Sequence, residues 1–118
     1  MGGERALTKS KIWRSPFPPF LYLIMPSNST STMLFYTYVL LSFKDNEHYI
    51  GYTGNLRKRL EEHNSGKNFS TKPRRPLKLI YFEACLNEDD AKQREKYFKS
   101  TIGRRYISKR LRNWQQSL

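Results

Sequence analysis

The sequence is poor in metal-binding and disulfide-forming residues, with one cysteine and two histidines in 118 residues. A lone thiol cannot form an internal disulfide, and a structural zinc site needs several Cys or His ligands. Cys85 lies in an apolar run, where a small buried side chain is a more natural role than a reactive thiol. Disulfide scaffolds and zinc fingers are therefore excluded, and a reducing, cytoplasmic location is expected.

Long apolar runs are also missing. The apolar core of the N-terminal region, FLYLIM at 20–25, has six residues, whereas a membrane span needs about 20. Pro16, Pro18 and Pro19 break this region and Pro26 closes it, which makes a poor secretory signal. We therefore expect no membrane partner, and a disordered or loosely attached extension over residues 1–32. Met33 directly precedes the first convincing strand and is a candidate true start.

Acidic residues are scarce relative to basic ones. The chain has 22 Lys and Arg against 10 Asp and Glu, a formal charge of +12, and residues 33–118 keep 18 bases and nine acids. Such a surface favours nucleic acid or an anionic membrane as a partner. The length fits one domain, placed at 33–114 with a short tail at 115–118.

Three segments have the composition of strands. MLFYTYVLL (33–41) is rich in aromatic and β-branched residues, HYIGY (48–52) follows after a short polar turn, and LKLIYFEA (77–84) is the third. The first two are expected to be antiparallel, because the connection is too short for a crossover.

Three helices are predicted between and after the strands. The first spans about 55–65, with Asn55 as N-cap and Gly66 after its C-terminus. The second runs from Asn87 to about Ile102 and ends at Gly103, and the third covers about 105–114. The order β-β-α-β-α-α predicts an α+β domain, a three-stranded antiparallel sheet flanked by helices.

Glu95 stands out because it falls on the apolar face of the second helix, with Ala91, Phe98 and Ile102. A buried carboxylate must be paired, protonated or bound to a cation. One interpretation is a structural ion pair with Arg94 or Lys99. The other is a Mg²⁺ ligand, since Mg²⁺ often takes only one or two protein carboxylates.

The first helix places Arg59 and His63 on the side that carries Leu56 and Leu60. A guanidinium there is suited to holding a phosphate oxygen, and a histidine to moving a proton near neutral pH. The alternatives are an exposed arginine in a basic run and a packed histidine. Tyr38 and Tyr49, on adjacent strands, are either core rings or hydroxyl groups of a site.

Cations are interleaved with an aromatic residue in the loop after the first helix, and more cations follow in the third helix. Such surfaces track a phosphodiester backbone, although a charge run is also typical of a solvated face. The loop set is Lys67, Phe69, Lys72, Arg74 and Arg75, and the helical set is Arg104, Arg105, Lys109, Arg110 and Arg112.

The ordered series YTY (36–38), YIG (49–51), an arginine eight positions after that glycine, and a helix with a lone glutamate resembles the GIY-YIG nuclease superfamily. The stretch YIGYTGNLRKRLEEHNSG is most similar to its small stand-alone bacterial members, and more distantly to the nuclease half of the excision-repair incision subunit. The resemblance covers roughly residues 34–112.

The resemblance implies a metal-dependent endonuclease that hydrolyses DNA phosphodiester bonds, with Mg²⁺ or Mn²⁺ as cofactor and DNA repair or recombination as a candidate setting. The catalytic set it implies is Tyr38, Tyr49, Arg59, His63 and Glu95, with Glu95 as the metal ligand. Gly51 would let the backbone approach the substrate closely. DNA contacts are expected from Gly51, Tyr52, Arg57, Lys58, Lys67, Lys72, Arg74 and Arg75, with no obligate protein partner.

Two departures from the family pattern leave the general base and the substrate open. The first motif reads Tyr36-Thr37-Tyr38 in place of Gly-Ile-Tyr, and Tyr52 stands where the excision-repair relatives have lysine. Two other functions remain: a nucleic-acid-binding module of the same fold without catalysis, and a basic structural protein of a ribonucleoprotein particle.

Overall fold

The computed structural model describes residues 33–118. In chain order the elements are β1 (Phe35–Ser42), β2 (His48–Thr53), α1 (Leu56–Ser65), a 3₁₀ turn (Lys72–Arg74), β3 (Leu77–Cys85), α2 (Glu88–Lys99), α3 (Thr101–Arg110) and α4 (Arg112–Gln116). This is an α+β fold in the predicted order β-β-α-β-α-α, with a short fourth helix added. The predicted N-terminal extension at 1–32 lies outside the described residues.

The sheet is three-stranded and antiparallel, in the order β2-β1-β3. Tyr38 in β1 pairs with Gly51 in β2 and with Phe82 in β3. As the central strand, β1 is buried on both faces, which accounts for its nearly continuous apolar sequence. The register places Tyr38, Gly51 and Tyr49 on one face of the sheet, because side chains alternate along a strand.

Each face of the sheet packs against helices. Tyr38 and Leu40 form one core with Leu56 and Leu60 of α1. On the other face Val39 belongs to a second core, with Ile50, Phe98 and Ile107. Fully burying an aliphatic side chain contributes about 1.5–3 kcal/mol, so each Leu of α1 fixes the helix, and its functional residues, against the sheet.

Both ends of α1 are as predicted. Asn55 caps its N-terminus by accepting a hydrogen bond from the Lys58 amide, and Gly66 ends it with a left-handed φ of 85°. The buried residues of this helix are Leu56, Leu60 and His63. Local capping signals thus place His63 against the sheet.

The predicted boundary at Gly103 is wrong. The helix α2 ends at Lys99, and Ser100 caps α3 by accepting a hydrogen bond from the Gly103 amide. Gly103 lies inside α3, where a Cβ would collide with the backbone carbonyl of Tyr97. The glycine therefore permits close approach of two helices and is no left-handed helix end. As a consequence Ile102, expected on the buried face, is 66% exposed.

Two other expectations concern Cys85 and the membrane. Cys85 is half-buried at the end of β3, where its thiol donates to the Asn87 carbonyl at 3.2 Å, so it is less buried than expected. Within residues 33–118, the helices are all too short or too polar to cross a bilayer.

Candidate active site

A chain of hydrogen bonds lies between β1, α1 and the loop before the 3₁₀ turn. The Tyr38 hydroxyl is 3.0 Å from His63 Nε2, and His63 Nδ1 is 2.7 Å from Thr71 Oγ1. All three residues are fully buried. A neutral histidine donates from one ring nitrogen and accepts at the other, so the two bonds run in the same direction through the ring. The arrangement is a three-membered path along which protons can be passed.

The environment of this chain fixes the protonation state of His63. Burial, and after it the charge of the Arg59 guanidinium, lower the His63 pKa to about 4, while Glu62 acts in the opposite sense. Since the unperturbed value is 6.5, His63 is neutral around pH 7. It is therefore able to accept a proton there.

Several neighbouring groups influence the pKa of the Tyr38 hydroxyl. Burial raises the Tyr38 pKa well above its usual range, and the Tyr49 phenol and the Glu95 carboxylate act in the same direction. The Arg59 guanidinium opposes them, through its charge and by hydrogen bonding. Arg59 comes from α1 and Glu95 from α2, so charges on two helices influence the same hydroxyl.

Tyr49 completes the aromatic wall. Its ring is 5.0 Å from the His63 ring in an edge-on arrangement and 6.5 Å from the Tyr38 ring. Tyr49 is half-buried, whereas Tyr38 is fully covered. The hydroxyl of Tyr49 is therefore the more accessible of the two phenols.

Gly51 has a packing role inside the sheet. A Cβ at this position would lie 2.6 Å from the Tyr38 hydroxyl oxygen and 2.8 Å from its ring carbon Cζ. Gly51 is itself buried in β2. The absence of a side chain thus makes room for the Tyr38 phenol, and the close approach of a substrate to the Gly51 backbone stays a prediction.

The two charged candidates are each paired within their own helix. Arg59 Nε lies 3.4 Å from Glu62 Oε1, and Lys99 Nζ lies 3.1 Å from Glu95 Oε2. Of the two structural partners considered for Glu95, Lys99 is the one observed. The Glu95 side chain is 23% exposed and that of Lys99 54%. Ion pairs at such sites contribute only about 0–1 kcal/mol, so both open readily.

Arg94, the other partner considered for Glu95, instead binds Glu83. Its guanidinium makes a fork to both carboxylate oxygens, at 2.9 and 2.7 Å. The same group lies over the rings of Phe98 and Tyr106, at 4.7 and 5.4 Å from their centres. Arg94 therefore ties α2 to β3, and Glu95 is left with Lys99 as its partner.

A metal site in the described part of the chain would have few protein ligands. Residues 33–118 contain no group of three or more His, Cys, Asp or Glu side chains placed to hold an ion. Glu95 is a single carboxylate that solvent reaches. One carboxylate with waters and substrate phosphate oxygens is a donor set that Mg²⁺ accepts, so the residues present fit a weakly bound ion completed by substrate.

The expected DNA-binding residues fall into several groups. Lys58, Lys67, Lys72 and Arg75 are exposed and Arg57 is half-buried. The Arg75 guanidinium lies beside Gly66, over the C-terminal end of α1. These residues place positive charge along the side of α1 and the following loop.

Arg74 and Tyr52 are placed differently. The Arg74 guanidinium donates to Asp45 Oδ2 at 2.8 Å and to the His48 carbonyl at 3.2 Å. It thus fastens the loop to the β1–β2 turn, and its expected DNA contact stays a prediction. Tyr52 pairs with Thr37 in the register, so it faces α2, on the opposite side of the sheet from Tyr38.

The cations of the third predicted helix line a shallow groove on α3. Arg104, Arg105 and Lys109 form it together with Thr101 and Ser108. The three charged residues are exposed on one helix. This groove is a second basic surface, apart from the loop after α1.

Sequence reasoning missed Thr71. Its hydroxyl is the partner of His63 Nδ1, and its backbone is held by a hydrogen bond from its amide to the Asn68 carbonyl at 3.2 Å. A threonine in a polar loop carries no local sign of such a role. The spacing of His63 on the inward face of α1 was the signal that a partner was needed.

Comparison with known proteins adds to this geometry. The family model described as the GIY-YIG catalytic domain matches residues 34–111. The chain is 52% identical over 66 residues to a UPF0213 protein of Pediococcus pentosaceus, covering 55% of this chain and 68% of that one. It is 44% identical over 71 residues to the UPF0213 protein YazA of Bacillus subtilis, covering 59% and 69%.

A solved structure is also similar. The solution NMR structure of a UPF0213 protein from Bacillus halodurans is 30% identical in sequence, with a TM-score of 0.42. The match covers 65% of this chain and 84% of that chain.

Proposed function

The chain belongs to the GIY-YIG catalytic-domain family, and from this premise we propose that it is a metal-dependent endonuclease acting on DNA phosphodiester bonds. Family membership supports a nuclease-type activity. We further propose Mg²⁺ or Mn²⁺ as its cofactor, a cytoplasmic location, and DNA repair or recombination as its setting.

The observation that carries the proposal is the convergence on the Tyr38 hydroxyl. His63 hydrogen-bonds it from α1, and the charges of Arg59 and Glu95 act on it from α1 and α2. A base, a cation and a carboxylate that all influence one hydroxyl are the kinds of group that hydrolysis of a phosphodiester requires. A protein that only binds DNA has no need for this combination.

Proton transfer is assigned to Tyr38 and His63. Once bound DNA has opened a path for water to the covered Tyr38 hydroxyl, the attacking water would give a proton to the Tyr38 oxygen as Tyr38 gives its own proton to His63 Nε2. The Nδ1 proton of His63 stays in the bond to Thr71. His63 ends as an imidazolium, which is why its neutral state before the reaction matters.

Arg59 is assigned to the phosphate. Its guanidinium is partly exposed and forms a long ion pair with Glu62. A phosphate oxygen accepts a stronger, charge-assisted bond from a guanidinium, so the substrate displaces Glu62. The Arg59 guanidinium then stabilises the negative charge that develops on the phosphate oxygens in the transition state.

Glu95 would hold the metal ion, with Lys99 moving away. When bound, Mg²⁺ or Mn²⁺ supplies Lewis-acid stabilisation of the phosphoryl and leaving oxygens. Lys58, Lys67, Lys72 and Arg75 supply the positive surface along which the DNA backbone lies.

A nicking assay on supercoiled DNA with Mg²⁺ or Mn²⁺, and with chelator, tests the proposal. Glu95→Gln is compared with Asp90→Asn on the same helix, and Arg59→Ala with Lys78→Ala. We expect the first variant of each pair to lose about 100- to 1,000-fold in rate, as for loss of one transition-state donor, and the controls to stay near wild type. Equal cutting by Glu95→Gln would refute the metal assignment.

One observation favours a second function, a binding module of the same fold without catalysis. The Glu95–Lys99 pair neutralises the carboxylate in the absence of metal. Wild-type protein that binds DNA and cuts none of several linear and branched substrates, with either metal, would decide for this function.

A further inference from the structure

We propose that Phe69 is a stacking platform for an unpaired nucleobase, so that this protein engages single-stranded or locally unpaired DNA in preference to intact duplex. The inference rests on the proposed function, because it takes DNA as the partner. It adds the substrate class.

Phe69 is the most exposed large apolar side chain of residues 33–118. It is 91% exposed, against 73% for Leu86 and 66% for Ile102. A single exposed apolar residue is common on protein surfaces, so exposure alone carries no inference. The position and surroundings of this ring are what distinguish it.

The ring stands on an ordered turn. The Asn68 carbonyl accepts hydrogen bonds from the Thr71 and Lys72 amides, at 3.2 and 2.9 Å. The Asn68 side chain accepts two more from Ser70, at 3.1 Å from its amide and 2.7 Å from its hydroxyl. Phe69 lies inside this network, so its backbone is held while its side chain projects into solvent.

A shallow open groove begins at the ring. It is lined by Phe69, Ser70, Lys72, Pro73 and Arg75. Its volume of about 490 Å³ falls within the usual range for small-ligand sites. An aromatic face and a proline offer flat apolar surface, and the two cations flank it. Base stacking combined with phosphate contacts uses this set of groups.

The positive charge around the groove favours an anionic partner. The sequence has no Asp or Glu between Glu62 and Glu83, while Lys67, Lys72 and Arg75 fall within that interval. A protein or peptide partner would need only apolar surface. A nucleotide supplies both the flat face and the negative charge.

The turn also connects the groove to the candidate active site. Thr71 is two residues after Phe69, and its hydroxyl lies 2.7 Å from His63 Nδ1. A base on Phe69 therefore neighbours the segment that orients the proton acceptor. In a duplex the faces of a base are covered by its neighbours, so only an unpaired base presents a face to the ring.

Equilibrium binding in chelator, which prevents cleavage, tests the inference. The probes are a fluorescent oligothymidylate and a duplex of equal length, and the proteins are wild type, Phe69→Ala, Phe69→Trp and Leu86→Ala. Since stacking is worth about 1–3 kcal/mol per base, we expect Phe69→Ala to weaken single-strand binding about 5- to 100-fold. Duplex binding, the Phe69→Trp protein and the Leu86→Ala control should stay within about twofold of wild type.

Phe69→Ala that binds the single strand like wild type, or that loses both probes equally, would overturn the inference. So would wild-type protein that binds neither probe. The experiments distinguish failure of this inference from failure of the proposed nuclease function. If Phe69→Ala selectively loses single-strand binding and the wild-type protein never cuts DNA, the stacking role of Phe69 stands and the nuclease function is rejected. If Phe69→Ala binds the single strand like wild type and the wild-type protein cuts DNA, the stacking role is rejected and the nuclease function stands.

Discussion

Replacing Gly51 with alanine adds one methyl group at the most crowded point of the candidate site. The new Cβ would lie 2.6 Å from the Tyr38 oxygen and 2.8 Å from its Cζ, both closer than real Cβ contacts come. Tyr38 is fully buried, with Tyr49 and His63 against its ring. The phenol has no exposed direction in which to swing, so the clash has to be relieved by a shift within the core.

The size of the effect follows from two contributions. Overpacking a well-filled core costs about 1–3 kcal/mol. A shift of the phenol by a few tenths of an ångström also lengthens its 3.0 Å bond to His63, and buried polar groups left without partners cost about 1–3 kcal/mol. We expect Gly51→Ala to lower the free energy of unfolding by about 2–4 kcal/mol.

Urea unfolding measures this loss directly, and Gly54→Ala is the matched control. At Gly54 the added Cβ would make an ordinary contact, 3.4 Å from the Met33 side chain, so its effect should stay within about 0.5 kcal/mol. In a Tyr38→Phe background the nearest clashing atom is gone, and the cost of Gly51→Ala should shrink. Equal losses at the two glycines, or the same loss with and without the Tyr38 hydroxyl, would refute this account of Gly51.

Three further predictions concern charged groups. Lys99→Ala removes the partner of Glu95, and since such a pair contributes about 0–1 kcal/mol, the affinity for Mn²⁺ measured by calorimetry should rise by up to about fivefold. Because the folded His63 has a pKa of about 4 and the unfolded one 6.5, the unfolded state binds more protons between these values, and stability should fall by about 3 kcal/mol as pH drops through that window. Arg94→Lys loses the fork to Glu83 and should cost about 1–2 kcal/mol in urea unfolding.

Each has its own control. Lys96→Ala removes a neighbouring exposed lysine and should leave Mn²⁺ affinity unchanged; a rise equal to that of Lys99→Ala would indicate a general charge effect. For the pH prediction the control is His48→Gln, which removes the other histidine, whose pKa burial also lowers. An NMR titration of His63 with a midpoint near 6.5 would contradict the pH prediction. An Arg94→Lys protein as stable as wild type would show that the fork to Glu83 adds nothing.

Features that depend on nearby residues were predictable from the sequence. The bounds of α1 follow from Asn55 and Gly66, because a cap acts within one turn. The inward position of His63 follows from its helical spacing with Leu56 and Leu60. The strands follow from runs of aromatic and β-branched residues that match the pleat.

Features that depend on a distant partner were not predictable in the same way. A glycine near a helix end serves either as a left-handed terminus or as a point of close helix approach, and Gly103 does the second, against Tyr97. Gly51 belongs to a recognisable motif, yet its constraint is the Tyr38 phenol on another strand. Thr71 meets His63 only because the loop folds back over α1.

The candidate site divides into a fixed part and an exchangeable part, and the division follows from burial. Tyr38, His63 and Thr71 are wholly covered and bonded to one another, so desolvation makes any rearrangement costly. Arg59 and Glu95 reach solvent and form weak pairs with Glu62 and Lys99. A phosphate and a divalent cation carry the charges that replace those two partners. Binding of DNA and metal should therefore change the partners of Arg59 and Glu95 and leave the buried hydrogen bonds in place. NMR spectra of the free and bound protein test this expectation. His63 resonances that move more than those of the Arg59 and Glu95 side chains would contradict it.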